Sequence, residues 1–447
     1  MTLKPSFFVA SVLIGNALFN SAFAQNQNND TTTFTLVQAL DFAVANNAQV
    51  KNAYADLAIA DQTVKEVKSI GIPQLRGQVQ YQDNIEKPVF VFPINGVSTP
   101  IRVGNKYTTQ TSLNLSWLML DGTYFLGLKA AKEFTEMSRK IASKTESDVK
   151  IDVAKTYFMT LIVKENSSLL NSTYQTLQKT YNEISALNKE GFVEALDVDR
   201  LKLQLNNLQI NINKLNDQYQ ISLGLLKAKM GIPQDKPIKI SDDLNALNQR
   251  FMISDTSSGV SLKGRTDYQI LQQQKLLNEF NLRRFKYGKY PNLVGALNYQ
   301  QSNFGETIDY SRTNWFGSTF MAFQINVPIF SGFGNDAKIQ KARIELIKSE
   351  NTINNATNYM NLEVFQSRMK YLRAIEYVEQ QKENLDLANK ILNITTIKYK
   401  EGVGSNLELT TANQDLKNSQ TNYLTALYDL LVAKLDYQVA LGQNIKL

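Results

Sequence analysis

The sequence predicts a mainly α chain with a small β part: long coiled-coil hairpins plus four strands, built as an internal duplication. Three observations carry this. Proline is absent from 101–232 and after 328, and glycine from 128–190 and 335–401, so two long stretches hold no helix breaker. Within them apolar residues recur in steps of four and three. Landmarks of the first half also return in the second.

The first 24 residues read as a secretory leader. Lys4 is their only charge, an apolar stretch runs from Phe7 to Phe19, and Ala22-Phe23-Ala24 supplies the cleavage site. That stretch is short for a membrane span. The mature chain then begins at Gln25.

Four segments alternate with period two, the mark of a strand with one apolar face. They are Leu75/Gly77/Val79/Tyr81, Leu113/Leu115/Trp117, Leu293/Gly295/Leu297/Tyr299 and Phe323/Ile325/Val327. The pattern suits an outer-membrane barrel or a soluble sheet packed on a helix, and periodicity does not separate the two. The helices follow. Leu170, Tyr174, Leu177, Tyr181 and Ile184 form one seam, and Leu201, Leu205, Leu208, Ile212, Leu215 and Tyr219 another. Ala374, Val378, Gln381, Leu385, Ala388 and Leu392 repeat the stepping with one polar member. This is a coiled-coil pattern. A helix from Tyr124 to Lys189 would be about 100 Å long.

The duplication shows in spacing. Lys189-Glu190-Gly191 returns as Lys400-Glu401-Gly402, and Met230-Gly231 as Leu441-Gly442, both 211 residues on. Leu120-Asp121-Gly122 returns as Phe330-Ser331-Gly332, and Pro73 as Pro291. We read 1–24 as leader, 34–231 as the first repeat, 232–265 as a turn-rich linker, 266–442 as the second repeat and 443–447 as a short tail.

Composition limits the chemistry. The 447 residues include no cysteine and no histidine, which removes disulfides, thiol nucleophiles, imidazole triads and Cys/His metal sites. The acids are spread along helices rather than converging, so no catalytic, metal or cofactor site is expected, and the chain is read as a non-enzyme. The net charge of +7 is modest, and no run of five basic residues occurs, against a nucleic-acid partner. The mean hydropathy of −0.28 is not that of a helical polytopic membrane protein.

Four strands cannot close a transmembrane barrel, and an open edge cannot face lipid, so a membrane sheet of this kind needs several chains. On the duplicated order of elements, the turns at Leu120-Asp121-Gly122 and Phe330-Ser331-Gly332, and the glycine turns at Gly191 and Gly402, the chain resembles the TolC family of outer-membrane efflux proteins. The resemblance covers about residues 34–442. It implies a homotrimer with a twelve-strand barrel in outer-membrane lipid, continued by an α-helical tunnel through the periplasm. The partners it implies are a periplasmic adaptor and an inner-membrane transporter. The function it implies is an exit duct for solutes. A polypeptide duct of type I secretion uses the same architecture, and a secreted structural coiled-coil protein is the alternative from another class.

The resemblance also implies sites. Gly191, Phe192, Val193, Gly402, Val403 and Gly404 would form the tips that meet the adaptor. Asp121, Gly122, Ser331 and Gly332 would make the strand-to-helix turns. Glu408 would form an acidic ring at the constriction, with Thr411 where a second acid is expected. Tyr399 would hold the closed tip by donating to Asp197. Residues 83–106 and 302–314 are expected as loops outside the cell.

Overall fold

The computed structural model describes residues 31–94, 96–244, 246–247, 262–308 and 315–443. The expected leader, Asn95, most of the linker's middle and residues 444–447 lie outside the described residues. In chain order the elements are β1 (Thr32–Phe34), α1 (Leu36–Asn46), α2 (Ala48–Ile70), β2 (Gln74–Asp83), β3 (Val89–Ile94), β4 (Val97–Arg102) and β5 (Tyr107–Leu120). Then come α3 (Gly122–Lys189), α4 (Ala195–Met230), β6 (Ile238–Ile240), α5 (Thr266–Tyr287), β7 (Asn292–Gly305), β8 (Trp315–Asn326), α6 (Gly334–Lys400) and α7 (Asn406–Ala440).

The helices α3 and α6 have 68 and 67 residues, each about 100 Å long. Each turns back into a partner, α4 or α7. The seams bury as the stepping requires: Leu170, Leu177 and Ile184 of α3 pack with Leu201, Leu205, Leu208 and Ile212 of α4. Tyr174, Tyr181 and Leu215 cover the flank of this cluster. A second core forms where α1 and the ends of α4 and α7 gather round the middle of α3, with Tyr157, Phe158, Leu226, Met230, Leu427 and Leu430 fully buried. There Asp242 accepts from the Leu36 amide at 2.6 Å and bonds the Tyr157 hydroxyl at 2.7 Å. Burial and that carboxylate push the Tyr157 hydroxyl far above its usual range.

Four strands make one antiparallel sheet in the order β2-β5-β7-β8. Cross-strand pairing sorts its two faces. Leu75, Leu115, Leu297 and Met321 stand in one row, and Gln78, Ser112, Gln300 and Ser318 in a row on the opposite face. One face is therefore apolar over its lower part and the other is rich in amides and hydroxyls. Both outer strands leave an unpaired edge. Among the described residues no helix is long and apolar enough to cross a membrane.

Two expectations need correction. Residues 83–106 are not a plain loop: β3 and β4 pair as a hairpin, from Val89 opposite Arg102 to Ile94 opposite Val97. The β-branched and aromatic run Val89-Phe90-Val91-Phe92 favours a strand, and Pro93 and Pro100 are tolerated because a two-stranded hairpin has only edges. Likewise β7 runs on to Gly305, into the segment read as loop. The second strand-to-helix turn also differs from the first. Asp121 caps α3, its Oδ1 accepting from the Thr123 and Tyr124 amides at 2.6 and 3.1 Å. In the second repeat α6 begins two residues later than the aligned Ser331-Gly332 would place it. Its cap residue is Phe333, held at φ 62° with no side-chain cap bond.

The two halves share a hook that sequence spacing did not disclose. Asn47, the N-cap of α2, donates through Nδ2 to Lys229 O at 2.7 Å. Arg265, the N-cap of α5, donates through Nη1 to Ala440 O at 3.1 Å. Each buried side chain thus ties the start of a short helix to the last turn of a long hairpin, two residues before Gly231 or Gly442. Arg265 also holds Asp267 and Glu363, both at 2.8 Å. Burial works against ionisation of Asp267, but the guanidinium outweighs it and keeps the carboxyl below its usual range. Arg265→Met should therefore cost about 2 kcal/mol at neutral pH, read as a lower midpoint of helix unfolding by circular dichroism in detergent. A depressed carboxylate stabilises above its ordinary pKa and loses that contribution as pH falls through the folded value. The deficit of the variant against wild type should accordingly shrink below about pH 4.

Candidate functional site at the helical tips

Both hairpin tips have the same backbone chemistry. After α3, the Gly191 amide donates to Asn188 O at 3.0 Å and the Phe192 amide to Leu187 O at 3.0 Å. After α6, the Gly402 amide donates to Tyr399 O at 3.2 Å and the Val403 amide to Lys398 O at 3.1 Å. This paired closure needs a left-handed residue, and Gly191 and Gly402 supply it at φ 82° and 73°. The turn then presents the next side chain outward: Phe192 is 77 % exposed and Val403 is 74 % exposed. Val193 does not join them. It packs on the α3–α4 seam, and its carbonyl accepts from Asn188 Nδ2 at 2.6 Å. A Cβ at Gly404 would lie 2.9 Å from the Tyr399 nitrogen, so this glycine lets the chain pass close to the end of α6.

The expected gate residues are close together but linked differently from expectation. Tyr399 is buried against the α3–α4 seam beside Leu409. Its hydroxyl makes no hydrogen bond to the Asp197 carboxylate. Asn406 stands between them, its Nδ2 donating to Asp197 O at 3.1 Å and lying 3.4 Å from the Tyr399 hydroxyl. Burial, and then the Asp197 charge, push the Tyr399 hydroxyl above its usual range. The nearest cation to the Asp197 carboxylate is Arg200, at 4.0 Å. Asn406 was missed because nothing in a lone asparagine at a helix start marks it as a bridge between two hairpins.

Glu408 and Thr411 are exposed on the first turns of α7. Ser405 caps that helix, its Oγ accepting from the Glu408 amide at 3.2 Å. The S-x-x-E spacing of Ser405 and Glu408 was a readable capping signal. An acid at this position also suits the positive end of the helix dipole. Asp415 is exposed seven residues after Glu408, on the same helical face. It extends the acidic stripe past Thr411, and heptad spacing could have found it. The tips of the two hairpins are further tied by Lys400 to Glu183 at 2.7 Å. Above them, α4 and α7 enclose a groove of about 390 Å³ lined by Arg200, Gln204, Asn207, Asn211, Thr410 and Lys417 among others.

At the other end of the long helices the two turns differ. Asp121 caps and Gly122 lies against Tyr287, where a Cβ would come within 2.6 Å of its ring. Ser331 Oγ accepts from the Asn335 amide at 3.4 Å, and Gly332 takes φ 57°.

Residues 288–443 match the sequence profile of the outer membrane efflux protein family. The chain is 20 % identical over 433 residues to nodulation protein T of Rhizobium leguminosarum bv. trifolii, covering 92 % of this chain and 86 % of that one. It is similar in structure to the outer membrane protein VceC of Vibrio cholerae, with a TM-score of 0.74 and 16 % identity, covering 92 % of this chain and 97 % of that one. CusC, described as forming a transmembrane channel, matches with a TM-score of 0.75 and 15 % identity, covering 94 % of this chain and 96 % of that one. The second repeat thus matches the outer membrane efflux protein family, and over nearly its whole length the chain has the fold of these outer-membrane channel proteins.

Proposed function

We propose that three copies of this chain form the outer-membrane exit duct of a tripartite efflux system. One observation carries the reading. A four-stranded sheet with one apolar face and two unpaired edges stands on helical hairpins about 100 Å long. Three such sheets give twelve strands and remove every edge. Solvent-exposed apolar stripes on the helices support the same assembly. Leu196, Leu203 and Ile210 recur at heptad spacing on α4, and Leu387, Ile391 and Ile394 on α6. Stripes of this kind are covered by neighbouring copies in a tunnel.

In the assembled duct Leu75, Val79, Tyr81, Phe323, Ile325 and Val327 face lipid, and Gln78, Gln80, Gln324 and Asn326 face the lumen. Lipid tolerates no unsatisfied polar group, whereas a water-filled lumen does. A spin label at Val79 should be more accessible to oxygen than to a water-soluble nickel chelate; the reverse order would reject the assignment.

The tips meet a periplasmic adaptor through Phe192 and Val403, the side chains that the two closures present. The glycines and Val193 shape the turns beneath them. Charged substitutions at Phe192 or Val403 should abolish export by cells while leaving the assembly folded, with loss of adaptor crosslinking as the direct readout. Crosslinking at the wild-type level would reject the docking role. The cargo follows from the pump that the adaptor recruits, so solute efflux and polypeptide secretion share this architecture.

The gate reading follows from Asn406. Three copies place three Glu408 and three Asp415 side chains around one axis, where like charges repel and attract cations. Asn406 ties α7 to the start of α4 in each copy. Asn406→Ala should raise the open fraction more than Tyr399→Phe, because the 3.1 Å bond to Asp197 O is better formed than the 3.4 Å contact to the hydroxyl. Glu408→Ala should lower cation selectivity and block by multivalent cations. Single-channel recordings in planar bilayers that match wild type for all three variants would discard the gate assignment.

A further inference from the structure

We infer that Arg76 forms a ring of positive charge at the base of the barrel and makes it a binding site for organic anions leaving the duct. The inference rests on the three-copy barrel of the preceding section. Arg76 is the third residue of β2 and lies in the row Arg76–Asn114–Asn298–Phe320, on the amide-rich face. Every other side chain on that face of β2, β5, β7 and β8 is uncharged. The nearest acids of the sheet lie elsewhere. Asp83 is at the far end of β2 on the opposite face, and Glu306 lies beyond β7 and is bound to Lys87 at 2.6 Å. Arg76 is exposed and, among the described residues, has no hydrogen-bond or ion-pair partner.

Placement decides what such a charge can do. The amide-rich face is the wet one, because a water-filled lumen satisfies a row of amides and hydroxyls and lipid does not. Twelve strands about 4.8 Å apart and tilted by about 40° close at a radius of roughly 12 Å. The three-methylene stem carries each guanidinium well inside that radius. Three such groups then act together across a gap comparable to the screening length of about 8 Å at physiological ionic strength. A guanidinium binds carboxylates and sulfonates through paired N–H donors. The Asn298 amide donates to Asn114, and the Asn114 amide to Ser112, which leaves each with one further N–H as a neutral donor. Phe316 and Phe320 share the face and expose their rings, which suits an anion carried on an aromatic body. The sign is opposite to that of Glu408 and Asp415 at the far end of the duct. The two ends would therefore select differently: the tip by cation attraction, the barrel by anion binding.

The test uses the full-length protein in planar bilayers and a trivalent aromatic sulfonate, pyranine, added from the extracellular side. From there it reaches the barrel without passing the tips. Wild-type pores should be blocked in a saturable and salt-sensitive manner. Arg76→Gln should weaken the block at least tenfold, Arg76→Lys should keep most of it, and Glu408→Ala should leave it unchanged. Block of equal strength in Arg76→Gln pores would overturn the anion ring while leaving the duct intact. Failure of the wild-type protein to form any pore would overturn the duct and the ring together.

Discussion

The structure depends on backbone hydrogen bonds that one chain cannot make. Among the described residues, β2 and β8 each offer a row of amides and carbonyls with no partner strand. In hydrocarbon each unmet group costs several kcal/mol, so a lone four-stranded sheet is unstable in the membrane that its apolar row of Leu75, Leu115, Leu297 and Met321 requires. Joining edges between copies satisfies both demands. The same joining gathers the helical hairpins beneath the sheet, where the exposed stripes on α4 and α6 find cover.

Duplication supplies this architecture and also its asymmetry. Asn47 and Arg265 perform one task in the two halves, hooking a short helix to the end of a long hairpin. The first does it with a neutral amide, the second with a guanidinium that also gathers two carboxylates. Strand-to-helix turns diverge too, with a capping aspartate in one repeat and a left-handed phenylalanine in the other. At the tips, Ser405 caps α7 while Glu194 makes no side-chain cap bond to α4. Asn406 then links the hairpins, and the first-repeat tip has no counterpart to it. The bridge between the hairpins thus resides where the repeats differ.

Long helices were legible because breakers are absent and apolar steps are regular: the Leu170–Ile184 and Leu201–Ile212 seams bury as their spacing demands. Period two likewise revealed the four sheet strands. The β3–β4 hairpin was obscured by three prolines, which suggest loop unless one notes that a two-stranded ribbon is all edge. Sites were harder. Gly191 and Gly402 stand out because a helical hairpin needs a left-handed residue, whereas the Asn406 bridge joins residues 209 positions apart and exists only once the hairpins are packed. Asp415 is legible only at heptad spacing, seven residues after Glu408, and not at the three-residue step that falls on Thr411.

The central claim, that β2 of one copy pairs with β8 of the next, can be tested directly because the chain has no cysteine of its own. One cysteine placed in turn at Gln74, Gln78 or Gln82 on β2, to span the stagger that strand tilt imposes between copies, and one at Ser318 on β8 can be joined by a short thiol-specific linker in native membranes. Within one chain two intervening strands hold each of these pairs about 14 Å or more apart, beyond such a linker's reach. The account predicts covalent products that end at three chains on a denaturing gel, with neither single-cysteine variant exceeding a pair. Chains that stay single, or ladders that continue past three, would contradict it.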